Sequence, residues 1–241
     1  MKKLIYIFVL LFAFISCDDT LFNAGDTITK EIKTSYFKEI YVDDIFDITL
    51  IQADTCIIKA KGGSNLLPNL DLKVDDEKKL TISDHNGARW SRNYDKIELY
   101  ITIDTLNYLR LNAPCKVTSQ NTLTTLNFTI WSITDFAEYD IMIDCNYFYV
   151  VNNSSSGGMM QVQGKANKFG FWARGSFRVN ADELIANHVT AKNESMADCS
   201  VHARDYLSAE ILREGKVFYT GNPETIEYVN QRAREQLVKR D

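Results

Sequence analysis

The chain has 241 residues, with 27 Lys and Arg against 32 Asp and Glu, a formal net charge of −5. That balance argues against a nucleic-acid partner, because phosphate backbones are gripped by clustered basic side chains. A hydrophobic fraction of 45% with only three prolines fits a sizeable core and no Pro-rich linker, and short runs rich in Thr, Ile, Val, Tyr and Phe favour strands over helices.

Met1-Lys2-Lys3 gives a positive start, residues 4–15 an unbroken apolar run, and Ser16-Cys17 follows. That order of parts reads as a bacterial lipoprotein signal over residues 1–16. The run is too short to cross a bilayer, which takes about 20 residues, and Asp18-Asp19 beside it would be costly in hydrocarbon. A small residue before the cysteine, with no Ala-x-Ala pattern nearby, favours lipoprotein processing over an ordinary secreted chain with a chance cysteine. Cys17 then becomes the lipid-bearing N-terminus, and several acyl chains make its membrane attachment stable. The expected location is the outer membrane, on its periplasmic or its outward face. Residues 17–26 read as a tether. Asp19-Thr20-Leu21 and Asp26-Thr27-Ile28 are similar to the O-glycosylation sites of exported Bacteroidetes proteins, which makes Thr20 and Thr27 candidate acceptors.

Residues 27–104 alternate apolar and polar side chains over 27–32, 45–51, 56–61, 70–74, 80–82 and 97–103. Period-2 alternation at this density predicts an antiparallel meander with one buried face. Gly62-Gly63-Ser64-Asn65 and Asp75-Asp76-Glu77-Lys78 supply turns.

From residue 105 the pattern repeats. Leu109/Leu111, Phe128/Ile130, Tyr149/Val151, Phe169/Phe171, His188 to Ala191 and Leu207/Ala209 each open a short strand. Each strand runs through small or polar residues to a further apolar anchor, and the unit recurs about every 20 residues. Strand units at such a period, without helices, predict a β-helix-like solenoid over 105–226; a β-sandwich is the alternative. The overall expectation is thus an all-β chain, an N-terminal antiparallel meander running into a solenoid. The tail, 227–241, alternates charge and reads as a frayed or helical end.

Cys56, Cys115, Cys145 and Cys199 remain beside Cys17. An even count in an exported protein invites disulfides, but Cys115 and Cys199 fall at matching places about four coils apart. At about 4.8 Å per coil that separation is roughly 19 Å, beyond the 7 Å or so a disulfide allows. Free thiols are expected, and their spacing matches no metal site.

The stretch Phe37-Lys-Glu-Ile-Tyr-Val-Asp-Asp-Ile-Phe-Asp-Ile-Thr-Leu-Ile-Gln-Ala-Asp resembles the opening of the autotransporter-adhesin head GIN domain of Bacteroidetes lipoproteins. Gly63-Ser-Asn-Leu-Leu-Pro and the closing Gly215-Lys-Val-Phe-Tyr-Thr-Gly-Asn-Pro-Glu-Thr-Ile continue the resemblance, which spans about residues 26–226. The Gly-Ser-Gly turns typical of that family survive as Ser155-Ser156-Gly157 and Gly175-Ser176 and are replaced in other coils. The resemblance implies a partly solenoidal surface protein with a role in adhesion or polysaccharide binding and no assigned catalytic residue.

Trp131 and Trp172 each follow an apolar pair, so alternation sends both outward at matching positions two coils apart. Stacked indoles would form a platform for sugar rings, with Arg174 and Asn152 offering hydrogen bonds; the alternative is that a loop or the C-terminal segment covers them. His85, His188 and His202 stand alone, and no catalytic residue, metal ligand or cofactor is expected. The leading expectation is a lipid-anchored, non-enzymatic module that binds polysaccharide or another envelope component. A scaffolding lipoprotein that packs on an envelope protein is the rival, and an enzyme acting on polysaccharide is the weaker alternative.

Overall fold

The computed structural model describes residues 23–86, 96–153 and 156–240. Cys17 and Thr20 lie outside the described residues. Each alternating stretch of the N-terminal third is a strand: β1 (Thr27–Lys33), β3 (Asp47–Gln52), β4 (Ile57–Gly63), β5 (Leu70–Val74), β6 (Lys79–Asp84) and β7 (Glu98–Ile103), with β2 (Glu39–Val42) in addition. The chain continues through β8 (Tyr108–Leu111), β9 (Cys115–Ser119), β10 (Leu123–Ser132), β11 (Phe136–Asn152), β12 (Gly157–Gly175), β13 (Arg178–Ser195) and β14 (Cys199–Ile211). It closes with β15 (Val217–Thr220), β16 (Thr225–Tyr228), α1 (Gln231–Gln236) and β17 (Leu237–Lys239). The protein is nearly all-β, a solenoid of about six turns of about 20 residues each. It does not adopt the β-sandwich alternative.

The N-terminal third departs from a simple antiparallel meander. β1 with β4, β4 with β7 and β5 with β6 are antiparallel as expected. But β2 and β3 pair in parallel with β6 and β7 on one side and with β8 and β9 on the other. The first strands are therefore already a solenoid coil, placed between two coils that follow it in sequence. Alternation reports which side chains are buried, not the direction of the neighbouring strand, so this threading is invisible in the pattern.

Stacked rows of side chains fill the interior. Leu80, Ile40, Leu109, Ile130, Val150, Phe171, Ala191 and Ala209 stand opposite one another in successive coils, each at most 2% exposed. Leu99, Ile48, Val117, Tyr139, Met160 and Val179 form the second row. Burying such side chains is worth about 1.5–3 kcal/mol each, and no single coil buries its own, so stability is built by stacking. The third side is tight: Cys145, Ala166, Ala186 and Ala203 take the same inward place in four coils. At the next position Asn167 donates to Asn146 at 3.0 Å, and Asn187 to Asn167 at 3.1 Å, an amide ladder along the outside of that corner. Gly164 opens this side with φ +116°, and a Cβ there would lie 2.0 Å from the Ile143 carbonyl oxygen. Only glycine permits the approach.

The tail is ordered. Asn230 caps α1 by accepting from the Ala233 N–H, Ala233 is fully buried, and β17 pairs with β15. The end of the stack is thus covered, as a solenoid requires to stay soluble.

All four described cysteines are free. The Cys115–Cys199 alignment needs correction: Cys199 pairs with Val217 and, in the row counted from Val117, stands four coils from Val117, two residues off Cys115. The wide separation is unaffected. Burial pushes the Cys115 thiol up to about 11 and the Cys145 and Cys199 thiols to about 12. Reagent attacks thiolate, so these three should resist modification in the native protein. Partly buried Cys56 should react ahead of them, and Cys56, Cys115, Cys145 and Cys199 should all titrate in denaturant. A lower count in denaturant would show a disulfide.

Candidate functional site

The register sets Trp131 beside Val151 and Val151 beside Trp172. Two strand spacings separate the tryptophan backbones, roughly 9.5 Å. Val151, only 6% exposed, floors the gap between the indoles. Tyr149, Asn153 and Arg174 complete a hollow of about 390 Å³ on the outer face of the solenoid.

The two tryptophans differ in freedom. Trp131 is 45% exposed. Trp172 is pinned: its Nε1 donates to Glu194 Oε2 at 2.9 Å, and the Arg174 guanidinium and Lys192 ammonium stand 4.6 and 4.7 Å from its ring centre. Arg174 Nε is 3.4 Å from Glu194 Oε2, and Lys192 Nζ is 2.9 Å from Glu210 Oε2. Each cation over an indole contributes about 0.5–1 kcal/mol at such a site. Trp172 is therefore a fixed wall, and Trp131 offers the open ring face.

Asn152 does not offer its side chain to a ligand. It is 2% exposed, and its amide donates to the carbonyls of Asn153 and Arg174 at 2.9 and 3.0 Å while its Oδ1 accepts from the Arg174 N–H at 2.8 Å. The chain turns a corner here, and the amide satisfies backbone groups that strand pairing leaves open. Its effect on the hollow is to fix the backbone of Arg174. Thr27 opens β1 and is exposed, just past the 17–26 tether.

Tyr149 is the lining residue that sequence reading missed. Taking Tyr149 and Val151 as an inward pair places the ring in the core. The structure sends Phe148 and Val150 inward instead, each at most 2% exposed. Phe148 pairs with Phe128 and Phe169, and that spacing of matching phenylalanines was the available signal.

Among the described residues no group of three His, Cys, Asp or Glu side chains is placed to hold a metal, and no helix is long and apolar enough to cross a membrane. His202 Nδ1 lies 3.1 Å from Thr220 Oγ1, and His188 lies against the Tyr206 ring.

Residues 36–223 match the family described as "putative auto-transporter adhesin, head GIN domain". The chain belongs to this family. A crystal structure of a "putative adhesin" from Bacteroides fragilis superimposes with a TM-score of 0.77 at 23% identity, over 89% of this chain and 94% of that one. A "putative adhesin" from Parabacteroides distasonis gives 0.64 at 17%, over 90% and 95%. A "putative lipid binding protein" from the same species gives 0.55 at 18%, over 90% and 98%. At these identities the likeness shows the shared solenoid fold. None of the curated proteins matches the sequence. Membership of an adhesin-like head GIN family points to the cell surface or envelope as its place of work.

Proposed function

We propose that the protein is a lipid-anchored envelope module that binds polysaccharide on its solenoid face and does no chemistry on it. The observation that carries this reading is the slot between Trp131 and Trp172, floored by Val151 and edged by Tyr149 and Arg174. A pyranose ring has faces of C–H bonds that pack on aromatic faces and a rim of hydroxyls that needs hydrogen-bonding neighbours. An apolar slot with a few polar groups at its edge matches both demands. The wall is preorganised, since Glu194, Arg174 and Lys192 hold Trp172 before any ligand arrives, and preorganisation lowers the entropy cost of binding. The signal ending at Ser16 supports attachment through lipid on Cys17, and Thr20 and Thr27 are proposed glycan acceptors beside it.

The test is a glycan array on the purified chain, followed by titration of the best binder against a Trp131→Ala/Trp172→Ala variant. Loss of two central aromatics should cost about 2 kcal/mol or more, roughly thirtyfold in Kd. A variant that keeps its fold and full affinity would end the platform idea. An empty array together with capture of one envelope protein would support scaffolding instead.

A further inference from the structure

Beside the tryptophan slot lies a second hollow of about 280 Å³, lined by Tyr147, Tyr149, Lys168, Gly170, His188 and Tyr206. It exists because one position on this face has no side chain. Thr129, Tyr149, Gly170 and Thr190 occupy the same outward row in four successive coils. At Gly170 a Cβ would lie 2.8 Å from Cδ2 and 3.0 Å from Cε2 of Tyr149, so the tyrosine ring rests over the glycine backbone. Tyr147 lies parallel to it, 6.2 Å away and tilted by 7°. In the row of Tyr147, His188 stands two coils further on and Tyr206 three; the Tyr206 hydroxyl donates to Glu227, and the His188 ring stands 5.8 Å from the Tyr206 ring.

The two hollows share Tyr149. Trp172 in one and Lys168 in the other are four residues apart on β12, about 13 Å along the strand. That is longer than one sugar ring, so a ligand touching both is a chain. The lining also has a sign. In a protein of net charge −5, the charged side chains that line these two hollows are Lys168 and Arg174, while the carboxylates of Glu194 and Glu227 reach lining residues only from outside them. Arg174 is paired with Glu194, whereas no ion pair among the described residues involves Lys168.

We propose that the Gly170 hollow is a second subsite and that the ligand is an extended oligosaccharide bearing carboxylates, one ring held between Trp131 and Trp172 and an acidic group on Lys168. This rests on the saccharide reading of the tryptophan slot. A carboxylate on the ammonium forms a charge-assisted hydrogen bond, stronger than a neutral one and weakened by salt.

The experiment is titration of the full chain with acidic oligosaccharides (oligogalacturonate first) and with their methyl esters, which keep the length and lose the charge. The acidic form should bind about tenfold tighter than the ester, and Lys168→Gln should abolish that preference. Gly170→Thr, which places there the residue that Thr190 supplies in the next coil, should weaken the long ligands at least about tenfold. Because it also displaces Tyr149, Tyr206→Ala is the companion variant, expected to weaken long ligands while leaving the shortest ones unchanged. Equal affinity for acid and ester, or no effect of Lys168→Gln and Tyr206→Ala where Trp131→Ala abolishes binding, would overturn the second subsite and leave the tryptophan slot standing. Absence of binding to acidic and neutral chains alike would overturn both.

Discussion

Phe148→Ala should destabilise the protein by about 3–5 kcal/mol, the range for removing a fully buried aromatic side chain. The Phe148 ring is 0% exposed and lies between Phe128 and Phe169, with centroids 5.6 and 5.5 Å away and interplanar angles of 23° and 15°. Its loss removes both stacking partners at once and opens a void in the middle of the stack rather than at an end. In a solenoid each coil is held only by its neighbours, so the damage falls on the interfaces on either side, and partial unfolding from one end becomes easier. Denaturant unfolding followed by fluorescence measures the loss directly. The companion measurement fixes the register: Tyr147→Ala, on the outer face, should change stability by no more than about 0.5 kcal/mol. A larger cost at Tyr147 than at Phe148 would mean that the strand faces the other way.

That one-residue question marks the boundary of what the sequence discloses. The period of about 20 residues, the strand content and the outward course of Trp131 and Trp172 follow from spacing alone, because apolar residues on a stacked coil must recur at the same place to be buried. The facing of β11 did not follow. Tyr147, Phe148, Tyr149, Val150 and Val151 are all credible core residues, so hydrophobicity cannot choose between them; only the match of Phe148 to Phe128 and Phe169 across coils does. The parallel threading of β2 and β3 is hidden for a different reason. It depends on which coil the chain returns to after β4 and β5, a long-range contact that leaves no local trace. Asn152 was hidden by ambiguity of role, since an asparagine that turns a corner inward and one that faces a ligand have the same neighbours in sequence. Gly170 carries the opposite lesson: its meaning lies in the tyrosine and the threonine that flank it in adjacent coils, Tyr149 and Thr190, and it becomes legible only once the coils are aligned.

The corner asparagines give the second large effect. Asn193 is 0% exposed and ties three segments together. Its Nδ2 donates to the carbonyls of Gly215 at 2.9 Å and Ala197 at 3.2 Å, and its Oδ1 accepts from the Ser195 N–H at 3.0 Å. Asn193→Ala leaves those backbone groups without partners, at about 1–3 kcal/mol for each one that water cannot reach; a total near 3 kcal/mol is expected, the same at every pH. Asn193→Asp has nearly the same shape but a different dependence. A carboxylate there would be buried and would face carbonyl oxygens, so the folded state holds its pKa above the unfolded value of about 3.9. Below that value both states are protonated and the penalty is smallest. As the pH rises the unfolded chain releases the proton while the folded chain resists, and stability falls by up to about 1.4 kcal/mol per pH unit until the folded pKa is passed. The unfolding midpoint of Asn193→Asp should therefore drop relative to Asn193→Ala as the pH rises above the unfolded pKa of about 3.9, until the raised folded pKa is passed. A flat difference between the two variants above that pH would show that the corner is open to water, and that the coils from β13 to β15 are not locked together by this amide.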